Sequence, residues 1–173
     1  MNIAIVGATG NVGRKLLEVL EKKKFPIDEL FLIASSKSVG KKINFKGKEY
    51  SIHDLESFNF SSVKIAFFAA GSVIADKWAP IASQKTIVID NSKFFRMDPD
   101  VPLIVPEVNS KDLKDYKKKN IIANANCSVI PLVVALKPLH DLYNIKRIVA
   151  STYQSVSGAG KAPMDELLSQ TKD

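Results

Sequence analysis

Short apolar runs alternate with amphipathic stretches along this chain, and the alternation is regular enough to predict its elements. Asn2-Ile-Ala-Ile-Val6 is a buried-strand pattern, while residues 14–24 set Leu16, Leu17 and Leu20 on one side against charges on the other, as in an amphipathic helix. Strands follow at Leu30 to Ala34, Val63 to Ala69 and Thr86 to Asp90, with a helix from Ser72 through Trp78 to Ser83. Residues 41–53 form a lysine-rich hairpin around Lys46-Gly47-Lys48, and residues 94–102 a loop. Ile121 and Ile122 make a short apolar run bounded by asparagines; a helix after Cys127 runs to about Asn144, since Pro131 is acceptable only in a first turn, with a kink or break at Pro138. A last strand, Ile145 to Gln154, leads into a glycine-bearing turn at Ser155 to Gly160 and a helix that continues to Asp173.

Strands that alternate with helices imply a parallel sheet with right-handed crossovers, which binds ligands beyond the carboxyl ends of its strands. Gly71-Ser72, Asn91-Ser92 and Arg96 fall at that edge. So does Gly7-Ala-Thr-Gly-Asn-Val-Gly13, between the first strand and the first helix. Glycines in that setting permit a tight turn and the close approach of backbone to a pyrophosphate, whose charge the helix N-terminus receives. The spacing G-x-x-G-x-x-G departs from G-x-G-x-x-G, and on its own also fits an ordinary tight turn. After the second strand no acidic residue is present to bond an adenosine 2′-hydroxyl. Lys37, between Ser36 and Ser38, suits a 2′-phosphate instead, which points to NADP.

The one cysteine of the 173 residues, Cys127, falls where a helix begins. A helix start favours negative charge, and the thiolate is the species that reacts. A single cysteine is also often just a small buried hydrophobe, so the other motifs decide its role.

Composition narrows the classes further. At 46% apolar and 25% charged, the chain has material for a proper core, as one domain or one domain with part of another. One cysteine allows no internal disulfide, and with only two histidines no metal site is expected, so a reducing cytoplasm is the natural setting. No basic leader precedes an apolar stretch and no run suits a bilayer, so neither secretion nor membrane insertion is indicated. The net charge of +7 comes largely from lysines interleaved with acids and turn residues, without a nucleic-acid-binding motif. They read as solvated faces whose field helps attract an anionic substrate or cofactor; His53 and His140 read as surface or core residues.

Taken in order, Gly7 to Gly13, Ser36-Lys-Ser38, Ile89-Asp-Asn-Ser92 with residues 96–102, Val105-Pro-Glu-Val-Asn109, Asn126-Cys127-Ser128 and Thr152 to Gly160 resemble the aspartate-semialdehyde dehydrogenase family over essentially the whole chain. The resemblance implies an α/β fold, Rossmann-like, with a mostly parallel sheet and helices on both faces (residues 1–126), followed by the incomplete beginning of a second, α+β catalytic and dimerisation domain (residues 127–173). It implies NADP-dependent interconversion of aspartyl phosphate with aspartate semialdehyde and phosphate, serving lysine, threonine, methionine and diaminopimelate synthesis, in a cytoplasmic homodimer.

Carried over by position, Cys127 is the nucleophile that forms a thioester, and Gln154 places the acyl group. Arg96, Asn126 and Gln154 bind substrate or its phosphate. Gly7, Thr9, Gly10, Asn11, Val12, Gly13, Lys37, Ser38, Gly71, Ser157 and Gly158 match cofactor-binding positions. Backbone donors at the helix start are expected to stabilise the tetrahedral oxyanion.

Three features depart from the family pattern. Ala125 stands where proline is usual, and Lys37 where arginine is common. Family chains are also longer, and their histidine acid/base and a further substrate-binding arginine match nothing here. The 173 residues are therefore expected to bind nucleotide but turn over negligibly. N-acetyl-γ-glutamyl-phosphate reductase, with a similar Val-Ser-Gly-Ala-Gly stretch, and a non-catalytic nucleotide-binding module are the competing readings; Asn126-Cys127-Ser128 and Gln154 favour the aspartate enzyme over the first.

Overall fold

The computed structural model describes residues 1–172. Strand β1 (Ile3–Val6) is buried on both faces, and successive side chains serve opposite cores. Ile3 and Ile5 pack with Leu17 and Leu20 of helix α1 (Asn11–Lys22) and with Leu30 and Leu32 of β2 (Leu30–Ala34). Ala4 and Val6 join the other core. The hairpin forms as β3 (Lys42–Phe45) and β4 (Lys48–Asp54), joined by Lys46 and Gly47. Both turn residues have positive φ, 51° and 76°, the twist that a two-residue hairpin loop requires.

The second core lies under β5 (Ile65–Phe68), α2 (Ser72–Ser83) and β6 (Ile87–Asp90), where the small Ala75, Ala79 and Ala82 let α2 sit close to Phe68 and Val88. Beyond β6 come β7 (Leu103–Ile104), the one-turn α3 (Pro106–Asn109) and a 3-10 stretch, Ser110–Lys118. The run around Ile121 and Ile122 is a strand, β8 (Ile121–Asn124), followed by α4 (Val129–Tyr143) and α5 (Lys161–Gln170).

The sheet order is β3-β4-β2-β1-β5-β6-β8-β7, and every pair but β3–β4 is parallel. With α1 on one face and α2 on the other, this is the expected doubly wound α/β architecture. The strand order reverses between β1 and β5, which opens a crevice at their carboxyl ends.

Three expectations need correction. Helix α1 begins at Asn11, three residues before Arg14, so Val12 and Gly13 are already helical. Of the kink or break expected at Pro138, the break does not occur, since α4 runs through it to Tyr143. Residues 145–154 form no strand: among the described residues none runs beside them to complete a backbone ladder, and Val149 and Tyr153 stand 80% and 102% exposed. The expectation for Asp173 lies outside the described residues.

Candidate active site

The glycine loop is built by the crossing of two chain segments at the crevice. Gly7 and Ala8 N–H groups donate to Ile33 O at 2.8 and 3.2 Å, which ties the end of β1 to β2. A Cβ on Gly7 would lie 2.7 Å from Ala69 O, and the residue has φ +87°. Only glycine allows the loops after β1 and β5 to approach so closely. Gly10 caps α1 in extended conformation, and its N–H donates to Gly7 O at 3.0 Å. Gly13 does a different job: it is buried, and a Cβ there would fall 2.3 Å from Gly7 O.

A cavity of about 650 Å³ opens over this loop. Gly7, Thr9, Gly10, Asn11 and Val12 line it beside Ser35 and Leu55, with Gly71, Asn91 and Ser92 along the sheet edge and Ser157 to Lys161 closing another side. Of the expected cofactor positions it thus gathers Gly7, Thr9, Gly10, Asn11, Val12, Gly71, Ser157 and Gly158. Gly13, Lys37 and Ser38 are not among its walls; Lys37 is exposed on a 3-10 turn that starts one residue beyond Ser35. The volume falls in the range of small-molecule and cofactor pockets, roughly 300–1,000 Å³. A floor of glycine backbone, with Gly7 packed closely on the loop after β5 and the start of α1 above it, fits a dinucleotide pyrophosphate.

The cysteine site is a second constellation. Cys127 is exposed, two residues ahead of the first helical residue of α4. Its Sγ lies 4.0 Å from Gln154 Oε1 and 4.0 Å from Asn126 Oδ1. Gln154 is held in turn, its Nε2 donating to Ser128 Oγ at 3.1 Å and Thr152 Oγ1 at 3.4 Å. Asn126 organises the turn: its Oδ1 accepts from Ser128 N–H at 3.0 Å and from Ser128 Oγ at 2.6 Å. Its backbone carbonyl accepts the N–H groups of Val129 and Ile130, each at 3.0 Å. The N–H groups of Ser128, Val129 and Ile130, expected to await an oxyanion at the helix start, are therefore engaged by Asn126, while Cys127 N–H has no partner among the described hydrogen bonds.

Arg96 sits on a short 3-10 turn after β6, half-buried. Its Nε donates to Asn124 O at 2.9 Å and a terminal nitrogen to Asn91 O at 3.3 Å. Behind it lies Asp90, fully buried, whose carboxylate accepts from Ser92 N–H at 3.0 Å and Ser92 Oγ at 2.6 Å. Burial pushes the Asp90 carboxyl above its ordinary value, against the two Ser92 hydrogen bonds and the Arg96 charge.

Neither histidine is hydrogen-bonded to Cys127 among the described residues: His53 packs between Phe31 and Phe58, and His140 borders an apolar recess on α4. Among the described residues no three His, Cys, Asp or Glu side chains gather as metal ligands, and no helix is long and apolar enough to cross a membrane. Asn124 carries bonds to Asn91 and Arg96 that no local motif announces; only strand register brings these residues together.

A glycine-cradled cavity at the switch point of a parallel sheet defines the first part of the chain as a dinucleotide-binding α/β domain. The NAD-binding domain of semialdehyde dehydrogenases matches residues 2–116, and the dimerisation domain of the same enzymes matches residues 136–173. The chain belongs to the semialdehyde dehydrogenase family.

Aspartate-semialdehyde dehydrogenase of Aquifex aeolicus is 58% identical over 98% of this chain and 51% of its own length; the Rickettsia bellii enzyme is 55% identical over 99% and 51%. The crystal structure of aspartate semialdehyde dehydrogenase II from Vibrio cholerae complexed with ASA superposes with a TM-score of 0.95 at 53% identity, covering 99% of this chain and 51% of that one. The Candida albicans enzyme, solved with NADP, gives a TM-score of 0.63 at 27% identity over 83% of this chain and 48% of its own. The chain thus spans about half the length of the curated relatives it matches.

Proposed function

We propose that this chain forms the cofactor-binding and nucleophile-bearing part of an NADP-dependent aspartate-semialdehyde dehydrogenase, with residues 1–126 as the nucleotide domain and residues 127–173 opening the catalytic and dimerisation domain. The end of the sheet at Asn124, three residues before Cys127, supports that division. The observation that carries the reading is the pairing of Cys127 Sγ with Gln154 at 4.0 Å in a chain whose glycine cavity fits a dinucleotide. Relatives named for the aspartate enzyme favour it over N-acetyl-γ-glutamyl-phosphate reductase.

In the proposed reaction the Cys127 thiolate attacks the acyl carbon of aspartyl phosphate. A C–S bond forms, the C–O bond breaks, and inorganic phosphate leaves with the electron pair, so one difficult step becomes two easier ones. Arg96 receives the phosphate, for which its planar fork of charged donors is suited. Gln154 holds the acyl group over Cys127, and Asn126 orders the turn that presents the sulfur. When bound, NADPH supplies the hydride that converts the thioester to aldehyde and releases the thiolate. Gly7 to Val12 would hold the pyrophosphate, Lys37 and Ser38 the 2′-phosphate, and Ser157 and Gly158 the opposite wall. With no histidine bonded to Cys127 among the described residues, these residues alone bind nucleotide and turn over negligibly; the whole enzyme is a cytoplasmic homodimer in aspartate-family amino-acid synthesis.

Calorimetric titration of the chain with NADP and, in parallel, NAD tests the cofactor half. Tighter binding of NADP is expected. Binding of neither by a chain that circular dichroism shows to be folded would refute the nucleotide site, and ready phosphate-dependent NADP reduction would refute the inactivity.

A further inference from the structure

The backbone ladder between β6 and β8 ends at the pair Asp90 and Ala123. One residue further along each strand, Asn124 Nδ2 donates to Asn91 Oδ1 at 2.6 Å, so the pairing continues through side chains past the last backbone rung. Arg96 closes a ring on the same two residues, donating to the main-chain carbonyls of Asn124 at 2.9 Å and Asn91 at 3.3 Å. From its other side, Asn124 is in register with Ile104 of β7. The guanidinium is therefore held by two carbonyls whose separation is set by the hydrogen bond between their own side-chain amides.

Asn124 is also the origin of the segment that carries the cysteine. Cys127 lies three residues on, a span of at most about 11 Å even if fully extended, and the intervening turn is fixed by the bonds that Asn126 accepts from Ser128. One residue thus anchors both an arginine and a thiol. Without the Asn91–Asn124 bond, the ends of β6 and β8 can part, and Arg96 cannot satisfy both carbonyls at once.

We propose that Asn124 and Asn91 are positioning residues that set the Arg96 guanidinium relative to Cys127, so that an anionic acyl substrate meets cation and nucleophile together. This rests on the roles given above to Cys127 and Arg96. It adds the device that fixes their spacing, built from two asparagines that make no hydrogen bond to the sulfur.

The test compares alkylation of Cys127, the sole cysteine, by iodoacetate and iodoacetamide, which share a leaving group and differ in charge. The ratio of the two rates reports a positive charge held beside the sulfur, and it should exceed that of a free small thiol several-fold at low salt. Arg96→Met should return the ratio to the free-thiol value. Asn124→Ala and Asn91→Ala should each lower it by roughly threefold, and the double variant no further, because both cut one bond. Asn124→Ser, which keeps a short donor, is measured alongside and should fall between.

The iodoacetamide rate and the NADP affinity of the Asn124 variants should stay within about twofold of the parent, since a local change of charge placement leaves the neutral reaction alone. An unchanged ratio in Asn124→Ala, with Arg96→Met lowered, would overturn the positioning role while leaving Arg96 in place. An unchanged ratio in Arg96→Met would overturn the underlying assignment and this proposal with it. Parallel changes in both rates, with loss of the circular dichroism signal, would also overturn it by showing that the asparagines serve folding alone.

Discussion

Replacing Gly13 by alanine separates a packing glycine from a cofactor-contacting one. An added Cβ would sit 2.3 Å from Gly7 O and 2.8 Å from Ala8 Cα, whereas ordinary contact begins near 3.4 Å. The obstacle is main chain on both counts, so no rotamer change relieves it. Relief requires α1 to move about 1 Å from the loop beneath it, an overpacking strain of roughly 3 kcal/mol or more. That motion would lift Leu17 and Leu20, 4% and 5% exposed, from the sheet. Alanine recovers about 1 kcal/mol of helix propensity within α1, leaving a net loss of about 2 kcal/mol or more.

For a chain of this size, that loss corresponds to a Tm fall of about 4–8 °C, readable by calorimetry or circular dichroism. NADP affinity should fall at least tenfold, a change of about 1.4 kcal/mol, because the displaced loop is the floor of the cavity. Gly10→Ala is the internal control: φ is an ordinary −77° and one contact of 3.3 Å is all the new Cβ meets. It should cost less than half as much stability. A Gly13→Ala protein with unchanged Tm and NADP affinity would refute the claim that α1 is seated directly on the Gly7 carbonyl.

The remaining predictions concern other parts of the molecule. Thr86 Oγ1 is buried with no hydrogen-bond partner among the described residues, so Thr86→Val should raise stability by about 1–2 kcal/mol, seen as a higher urea midpoint. Lys37→Ala should weaken NADP several-fold while leaving NAD unchanged; equal losses for both would remove Lys37 from 2′-phosphate recognition. The Lys119 hydrogen bond, with that from Asp100 N–H, holds the Asp98 carboxyl below its ordinary value. Because the folded-state value is the depressed one, this contribution to stability is complete above the unfolded value of about 3.9 and is lost as pH falls through the folded one. Lys119→Met should therefore destabilise at neutral pH and converge on the parent as pH falls through the depressed folded-state value in urea titrations, and a pH-independent difference would exclude the ion pair as its cause.

The parts of the fold that can be read from sequence are those whose partners are near in the chain or fully buried. Strand β1 announces itself because each of its residues is apolar, and the hairpin because Lys46-Gly47 supplies the turn. The start of α1 is misplaced by three residues for the opposite reason: Gly13 looks like a turn residue, yet it is a helical one selected for lack of volume. Residues 145–154 have a strand's composition, but a strand is a relation between segments, and none of the described residues supplies the second one. Nor does the sequence show that β8 enters the sheet between β6 and β7, which follow each other directly in the chain. That insertion is what makes neighbours of Asn91 and Asn124, 33 residues apart.

The same limit explains the chemistry at the cysteine. A thiol just ahead of a helix suggests that the unpaired N–H groups of the first turn wait for an oxyanion. Here Ser128 N–H goes to the Asn126 side chain, and the N–H groups of Val129 and Ile130 go to the Asn126 carbonyl. Each of these three donors has an acceptor, so an oxyanion could recruit them only by displacing Asn126, whereas Cys127 N–H has no partner among the described hydrogen bonds. The Asn126 side chain, by contrast, uses its oxygen to organise the turn and has no partner for Nδ2 among the described hydrogen bonds. A carboxamide anchored by its oxygen and open at its nitrogen is a fixed donor, and fixed donors stabilise developing charge without reorganising. We therefore propose that Asn126 Nδ2 acts beside the Cys127 N–H as a donor to the oxyanion. It follows that Asn126→Asp, which keeps the acceptor and removes the donor, should preserve the turn while suppressing acylation of Cys127; acylation at the parent rate would return the role to the backbone.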